Sequence, residues 1–320
     1  MTTPQDIWNA DWHNLVIFDA CRHDYFEKCY PGILKGTLEE RVSPAIHTKE
    51  WLEKTFTGYY DDIIYISPVF FCNSVKRRLD TPFFGKEHFF KVVNAWRDGW
   101  SDDYGTVPPW YINDMARRAT LAYPSKRLII HYMQPHAPYL SLKPTVTVKK
   151  MKERAVLTGK GQLPLRTRAT RRLSAVIHKL FGTEALWRII EILGLPPYTN
   201  MEEAWRLTGS EDLRGLYEKN LRAVMHCFTH LVPQLQGDTV VTADHGELLG
   251  ERGYWGHGPS KPRLTELTRV PWFTIGTDDH PTERCICCGH PVAHGVYACR
   301  RCLALLSHSQ SQTEPVSYTH

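Results

Sequence analysis

A buried strand that runs straight into metal-binding side chains constrains this chain more than any other feature. Val240-Val241-Thr242-Ala243 leads directly into Asp244-His245-Gly246-Glu247. A short apolar run of this kind reads as a strand covered on both faces, and it stops where a carboxylate and an imidazole emerge together. Carboxylate oxygen beside imidazole nitrogen suits zinc, manganese or another divalent ion, and glycine at 246 lets the backbone turn sharply behind the pair. The plainer alternative is that Asp244 caps a helix and His245 simply packs. A second apolar run, Leu15-Val16-Ile17-Phe18, delivers Asp19 in the same way.

Further strands are expected at 62–67, 127–132, 238–242 and 270–275, with helical periodicity at 48–56, 89–98, 112–122 and 210–232. This alternation predicts an α/β fold, a mostly parallel central sheet flanked by helices. Pro271 inside the last strand suggests an edge position. At 320 residues, 42% of them hydrophobic, the chain is long enough for one large domain over 1–277 and a small appendage. No run approaches the roughly 18 apolar residues of a membrane span, and the first residues lack a signal peptide's charged start and apolar middle. Cytoplasmic location is the expectation, with Cys21, Cys29, Cys72 and Cys227 reduced.

The segment 142–200 breaks the rhythm and reads as an insertion over the active face. Within it, Lys143 to Lys179 holds eleven Lys/Arg against the single acid Glu153, so the rest of the chain is net acidic although the whole carries +5. Such a block is a solvated surface or a contact for an anionic partner, nucleic acid and membrane surface included. An amphipathic stretch at 183–193 follows, in which Trp187, Ile189, Ile190 and Leu193 read as a packing face in preference to a membrane-surface helix.

Asp19, Thr48, Asp244 and His245, brought together from three segments, make a four-ligand site for one divalent ion (Mn, Zn, Mg or Ca) with a position open for a substrate oxygen. A threonine hydroxyl bound to such an ion is acidified and becomes a nucleophile. Alone, Thr48 is an ordinary helix N-cap, and Ser43 competes with it for the role. His131, on a buried strand, is a packing residue or a substrate contact. Arg22 and Lys261 either bind an ester's anionic oxygens or are surface charges.

Five segments in order resemble the alkaline phosphatase superfamily, in particular its sulfatase-like and lipoteichoic-acid-synthase-like branch. They are Asn14 to Arg22, Ser43-Pro44-Ala45-Ile46-His47-Thr48, His131-Tyr132-Met133-Gln134-Pro135-His136-Ala137-Pro138-Tyr139, Thr242 to Glu247, and Gly256-His257-Gly258. The resemblance implies a metal-dependent hydrolase or transferase of phosphate or sulfate esters. Asp19, Asp244 and His245 would bind the metal, Thr48 would be ligand and nucleophile, and His136 and His257 would contact the substrate or its leaving group. The Cys-x-Pro-Ser-Arg motif of sulfatases is absent, which favours threonine-based phosphoryl chemistry over sulfate-ester hydrolysis. The Asp-x-x-x-His pair of two-metal members is replaced by Tyr132 and His136, so one catalytic ion is expected. The alternative from another class is a non-catalytic scaffold that binds nucleic acid or another anionic partner.

Past a polar linker, Cys285, Cys288, Cys299 and Cys302 form two Cys-x-x-Cys knuckles, the pattern of a zinc ribbon over 278–306 holding one structural zinc. Cys287 and His290 offer alternative ligands. Residues 307–320 read as a disordered tail.

Overall fold

The computed structural model describes residues 3–75, 83–143, 168–197 and 199–276. The zinc-ribbon and tail expectations, and most of the basic block, lie outside the described residues.

An eight-stranded sheet organises the chain. In spatial order it runs β1 (Thr3–Pro4), β3 (Thr37–Val42), β10 (Arg269–Ile275), β7 (Thr239–Thr242), β2 (Asn14–Phe18), β6 (Arg127–Tyr132), β4 (Tyr60–Ser67) and β5 (Phe89–Asn94). β10 is antiparallel to both of its neighbours, and every other pairing is parallel. β2 and β7 are fully buried and β6 is buried after Arg127, as expected for central strands covered on both faces. Their side chains alternate between two cores. Val16, Phe18, Ile64, Ile66, Leu128 and Ile130 pack with α1 (His23–Cys29), α4 (Pro109–Ala122) and Phe228. Leu15, Ile17, Ile63, Tyr65 and Ile129 pack with Trp51 and Leu52 of α2 (Thr48–Thr55).

Two expectations are corrected. Pro271 is not on an edge strand, because β10 lies between β3 and β7. The ladder to β7 begins only at Trp272, and the Pro271 carbonyl accepts a hydrogen bond from Thr242 Oγ1 at 2.6 Å. Proline is tolerated there because it sits beyond the end of one ladder. The segment 89–98 is not one helix. Phe89, Val92, Val93 and Trp96 fall at helical spacing, yet residues 89–94 form β5 beside β4, and only Ala95–Asp98 is helical (α3).

Two long helices complete the described chain. α5 (Arg168–Ile192) breaks at Gly182 and α6 (Asn200–Thr229) breaks at Gly209, where φ is +81° and +80°. The second part of each corresponds to the helical stretches read from the sequence. At Gly182 a side chain is excluded twice over, by its φ and because a Cβ would lie 2.5 Å from the Gly253 carbonyl oxygen. This contact seats α5 on a hairpin formed by β8 (Leu248–Leu249) and β9 (Trp255–Gly256). Trp187, Met201, Trp205, Leu249 and Trp255 share the resulting third core.

Candidate active site

The parallel strands β2, β6 and β7 lie side by side, so the loops leaving their carboxyl ends meet in one place. Asp19 follows β2, the His136 loop follows β6, and Asp244 and His245 follow β7. α2 brings Thr48 to the same end, and the β8–β9 hairpin adds Glu247 and His257.

The Asp19 turn is tightly held. Ala20 adopts a left-handed conformation, φ +60°, uncommon for a residue with a Cβ and a recurrent source of strain at functional sites. Its N–H donates to Asp244 Oδ1 at 3.0 Å and its carbonyl accepts from the Tyr217 hydroxyl at 2.7 Å. Asn220, one turn along α6, clamps the histidine loop by donating to the carbonyls of Pro135 and His136 at 3.1 and 3.2 Å and accepting from Leu140 N–H.

Gly246 serves close packing and not a sharp turn. Its φ is not positive, but a Cβ there would lie 2.0 Å from the Glu266 carbonyl oxygen. The approach lets Gly246 N–H reach the Leu267 carbonyl at 2.8 Å. The Gly246 carbonyl in turn accepts from His245 Nδ1 at 2.7 Å, which leaves His245 Nε2 with its lone pair facing the site. That nitrogen is 3.3 Å from Asp244 Oδ2, 3.9 Å from Asp19 Oδ1 and 3.4 Å from Thr48 Oγ1. Thr48 is the first residue of α2, buried, where the helix dipole favours negative charge. Ser43 is engaged elsewhere: its hydroxyl donates to the Asp244 carbonyl at 2.5 Å and accepts from Ala45 N–H.

The donor set fits a divalent cation. Asp19 Oδ1, Asp244 Oδ2 and His131 Nε2 are buried without a hydrogen-bond partner, a costly condition for two carboxylates unless a cation lies between them. Asp19, His131 and Asp244 each offer a ligand atom within 4.8 Å of the others. Burial, and then the Asp244 carboxylate, push the Asp19 carboxyl up to about 7. Burial acts on Asp244 too, but His245, His131 and the Ala20 N–H outweigh it and hold that carboxyl below its usual range. Burial lowers His245 and takes His131 down to about 4, so both imidazoles are neutral, the form that binds metal.

His131 lies at the buried end of this cluster. It is fully buried, 3.4 Å from Asp19 Oδ2, with the Tyr65 hydroxyl 2.8 Å from its Nδ1. Arg22 is likewise committed: its guanidinium pairs with Asp24 and Glu251, each at 2.6 Å, and reaches the Glu247 carbonyl. These contacts tie Arg22 to α1 and to the β8–β9 hairpin. Lys261 donates to Thr183 Oγ1 at 2.5 Å and lies 3.0 Å from His178 Nε2, and burial lowers it to about 8.

A second donor set, His136, Glu247 and His257, borders the first. The hairpin register explains its geometry. Leu248 pairs with Gly256, so Glu247 and His257 fall opposite each other, with His257 Nδ1 2.9 Å from Glu247 Oε1. The ring of His257 lies 4.2 Å from that of His245 and 5.0 Å from that of His136. His136 Nδ1 donates to the Ala137 carbonyl, leaving its Nε2 available. Burial pushes Glu247 up to about 7 and His257 down to about 4. Glu247 has no assigned role in the sequence reading, although it follows directly on Asp244-His245-Gly246; its pairing with His257 is visible only once the hairpin is formed.

No family model matches the sequence. No curated protein matches it either. Among solved structures, the chain is similar to the integral membrane protein lipooligosaccharide phosphoethanolamine transferase A of Neisseria meningitidis, at 15% identity and TM-score 0.46, covering 87% of this chain and 52% of that one. It is also similar to the phosphonate monoester hydrolase of Agrobacterium radiobacter, at 14% identity and TM-score 0.45, covering 85% and 70%. A putative sulfatase from Bacteroides thetaiotaomicron follows at 11% identity and TM-score 0.41, covering 95% and 71%. The chain spans about half the length of the transferase.

Proposed function

We propose that this chain is a metal-dependent hydrolase or transferase of phosphate-containing esters in which Thr48 is the nucleophile. One observation carries the reading: the Thr48 hydroxyl, at a helix N-terminus, lies 3.4 Å from His245 Nε2, the nitrogen that also approaches the buried, unpartnered Asp19 and Asp244 oxygens. The five segments quoted above, in the order of the alkaline phosphatase superfamily, add to it.

Asp19, Asp244, His245 and Thr48 would hold one catalytic divalent ion, with His131 offering a further nitrogen beside Asp19 and Asp244. When bound, the ion acidifies the Thr48 hydroxyl and neutralises charge on the ester's nonbridging oxygens. Thr48 Oγ, its proton lost to solvent, then attacks phosphorus in line, the bond from phosphorus to the leaving alcohol oxygen breaks, and a proton reaches that oxygen from the His136 and His257 side of the site. Glu247 fixes the His257 ring through its Nδ1, so that Nε2 faces the ester. Water or an acceptor alcohol would then displace phosphorus from Thr48, regenerating the hydroxyl.

Activity against aryl phosphate mono- and diesters and aryl sulfates, with Mn, Mg, Zn or Ca supplied, tests the assignment. Thr48→Ala is expected to abolish phosphoester cleavage and Thr48→Ser to retain part of it. Asp244→Ala is expected to lose one equivalent of bound metal. Full activity in Thr48→Ala, or unchanged metal content in Asp244→Ala, overturns the reading.

A further inference from the structure

α5 presents an apolar surface that the fold does not use. In its first part Leu180 and Phe181 are 67% and 66% exposed. After the break at Gly182 the same helix turns Trp187 and Ile190 inward and leaves Ile189, Ile192 and Leu193 outward, Ile192 at 83% exposure. Positions 189, 192 and 193 share one helical face, and Leu195 continues it past the helix end. Burying Trp187 and Ile190 satisfies the packing role expected of this stretch; the outward stripe needs a second explanation. Large exposed apolar residues gathered on one element mark an interaction surface.

Charge selects the partner. Arg168, Arg171, Arg172 and Lys179 lie in the first part of α5, which contains no acid, and they close the run of eleven Lys/Arg that begins at Lys143. A second copy of the chain would bring two such basic runs together across a shared symmetric contact. A nucleic acid would use the charge and leave the leucines and isoleucines in water. An anionic bilayer matches both the exposed apolar side chains and the positive charge of this part of the sequence. No described helix is long and apolar enough to cross a membrane, so the contact is with the surface.

We infer that α5 docks this protein on an anionic lipid surface through the face Ile189, Ile192 and Leu193, continued by Leu195. The break at Gly182 rests on Gly253 of the β8–β9 hairpin, and Thr183 Oγ1 accepts from Lys261. The docked helix therefore borders the hairpin that carries Glu247 and His257.

Sedimentation of the full chain with vesicles of phosphatidylcholine alone, and of phosphatidylcholine with phosphatidylglycerol, tests the docking without reference to activity. The protein is expected to sediment with the anionic vesicles and not with the neutral ones, and the double variant Ile192→Glu with Leu193→Glu to bind ~10-fold or more weakly. These side chains are exposed, so an unchanged circular dichroism spectrum and unchanged cleavage of a soluble aryl phosphate are expected for the variant. No binding to anionic vesicles, equal binding by variant and parent, or a concentration-dependent dimer abolished by the variant overturns the inference. Vesicle binding without any esterase activity supports the docking surface and refutes only the proposed reaction.

Discussion

Replacing Asp19 by asparagine should make the metal-free protein more stable and the metal-loaded protein less so. Without a cation, the Asp19 carboxyl is pushed from 3.8 up to about 7, by burial and then by Asp244. A carboxyl raised in this way holds its proton more tightly in the folded chain. Its contribution is therefore neutral below pH 4, turns unfavourable as pH rises toward 7, and is fully unfavourable above it. The gap between 3.8 and about 7 corresponds to about 4 kcal/mol at pH 8. Asparagine keeps the shape and removes the charge, but its amide is buried with few partners, which takes back about 1–3 kcal/mol. A net relief of about 2 kcal/mol is a rise in Tm of roughly 3 °C for a chain of this size. The assay is thermal unfolding of both proteins in chelator at pH 8 and pH 5, then with added divalent ion. The variant should unfold at higher temperature at pH 8, with the difference shrinking at pH 5. Added ion should reverse the order, since binding at 100 times Kd adds about 2.7 kcal/mol to the protein that retains the ligand. An asparagine variant no more stable than the parent in chelator at pH 8, or a parent whose Tm ignores the ion, would refute the buried-charge argument.

Glu247→Gln should lower kcat by about 10–100-fold, since it loosens the His257 ring without touching the deeper donor set; the pH–rate limb near 7 should flatten in the same variant. Gly246→Ala should cost about 1–3 kcal/mol in urea unfolding and weaken metal binding, because its Cβ would meet the Glu266 carbonyl oxygen at 2.0 Å. Arg22→Ala should cost about 1–3 kcal/mol, less than a fully buried pair, since Asp24 and Glu251 are partly solvated. KM for an anionic ester should barely change in Arg22→Ala; a large rise in KM would restore Arg22 as a substrate contact.

The parts of this structure legible in the sequence are those where a strand is buried on both faces. β2, β6 and β7 announce themselves as apolar runs, and the residues that end them land together because parallel neighbours share a carboxyl end. β3 is not legible: Thr-Leu-Glu-Glu-Arg-Val is half exposed and carries three charges, so it has neither the run nor a clear alternation. β5 misleads because its apolar spacing suits a helix, and only the open edge of β4 decides otherwise. In the site, Asp19, Thr48, Asp244 and His245 converge as their positions suggest. Arg22 and His131 are placed by contacts with Glu251 and Tyr65, residues distant in sequence whose partnership no local pattern encodes. Glu247 is the reverse case, adjacent to the motif yet given its partner only by hairpin register.

That register has a mechanical consequence. Because Glu247 precedes β8 and His257 follows β9, the carboxylate and the imidazole are the two prongs of one short fork, whose stem is seated on α5 through Gly182, Trp187 and Trp255. A shift of α5 would carry both prongs together, keeping the proton link between them while changing their reach toward Thr48. The reach of the fork is then a single coordinate, set from outside the sheet by a helix that shares no strand with Asp19, Asp244 or His245.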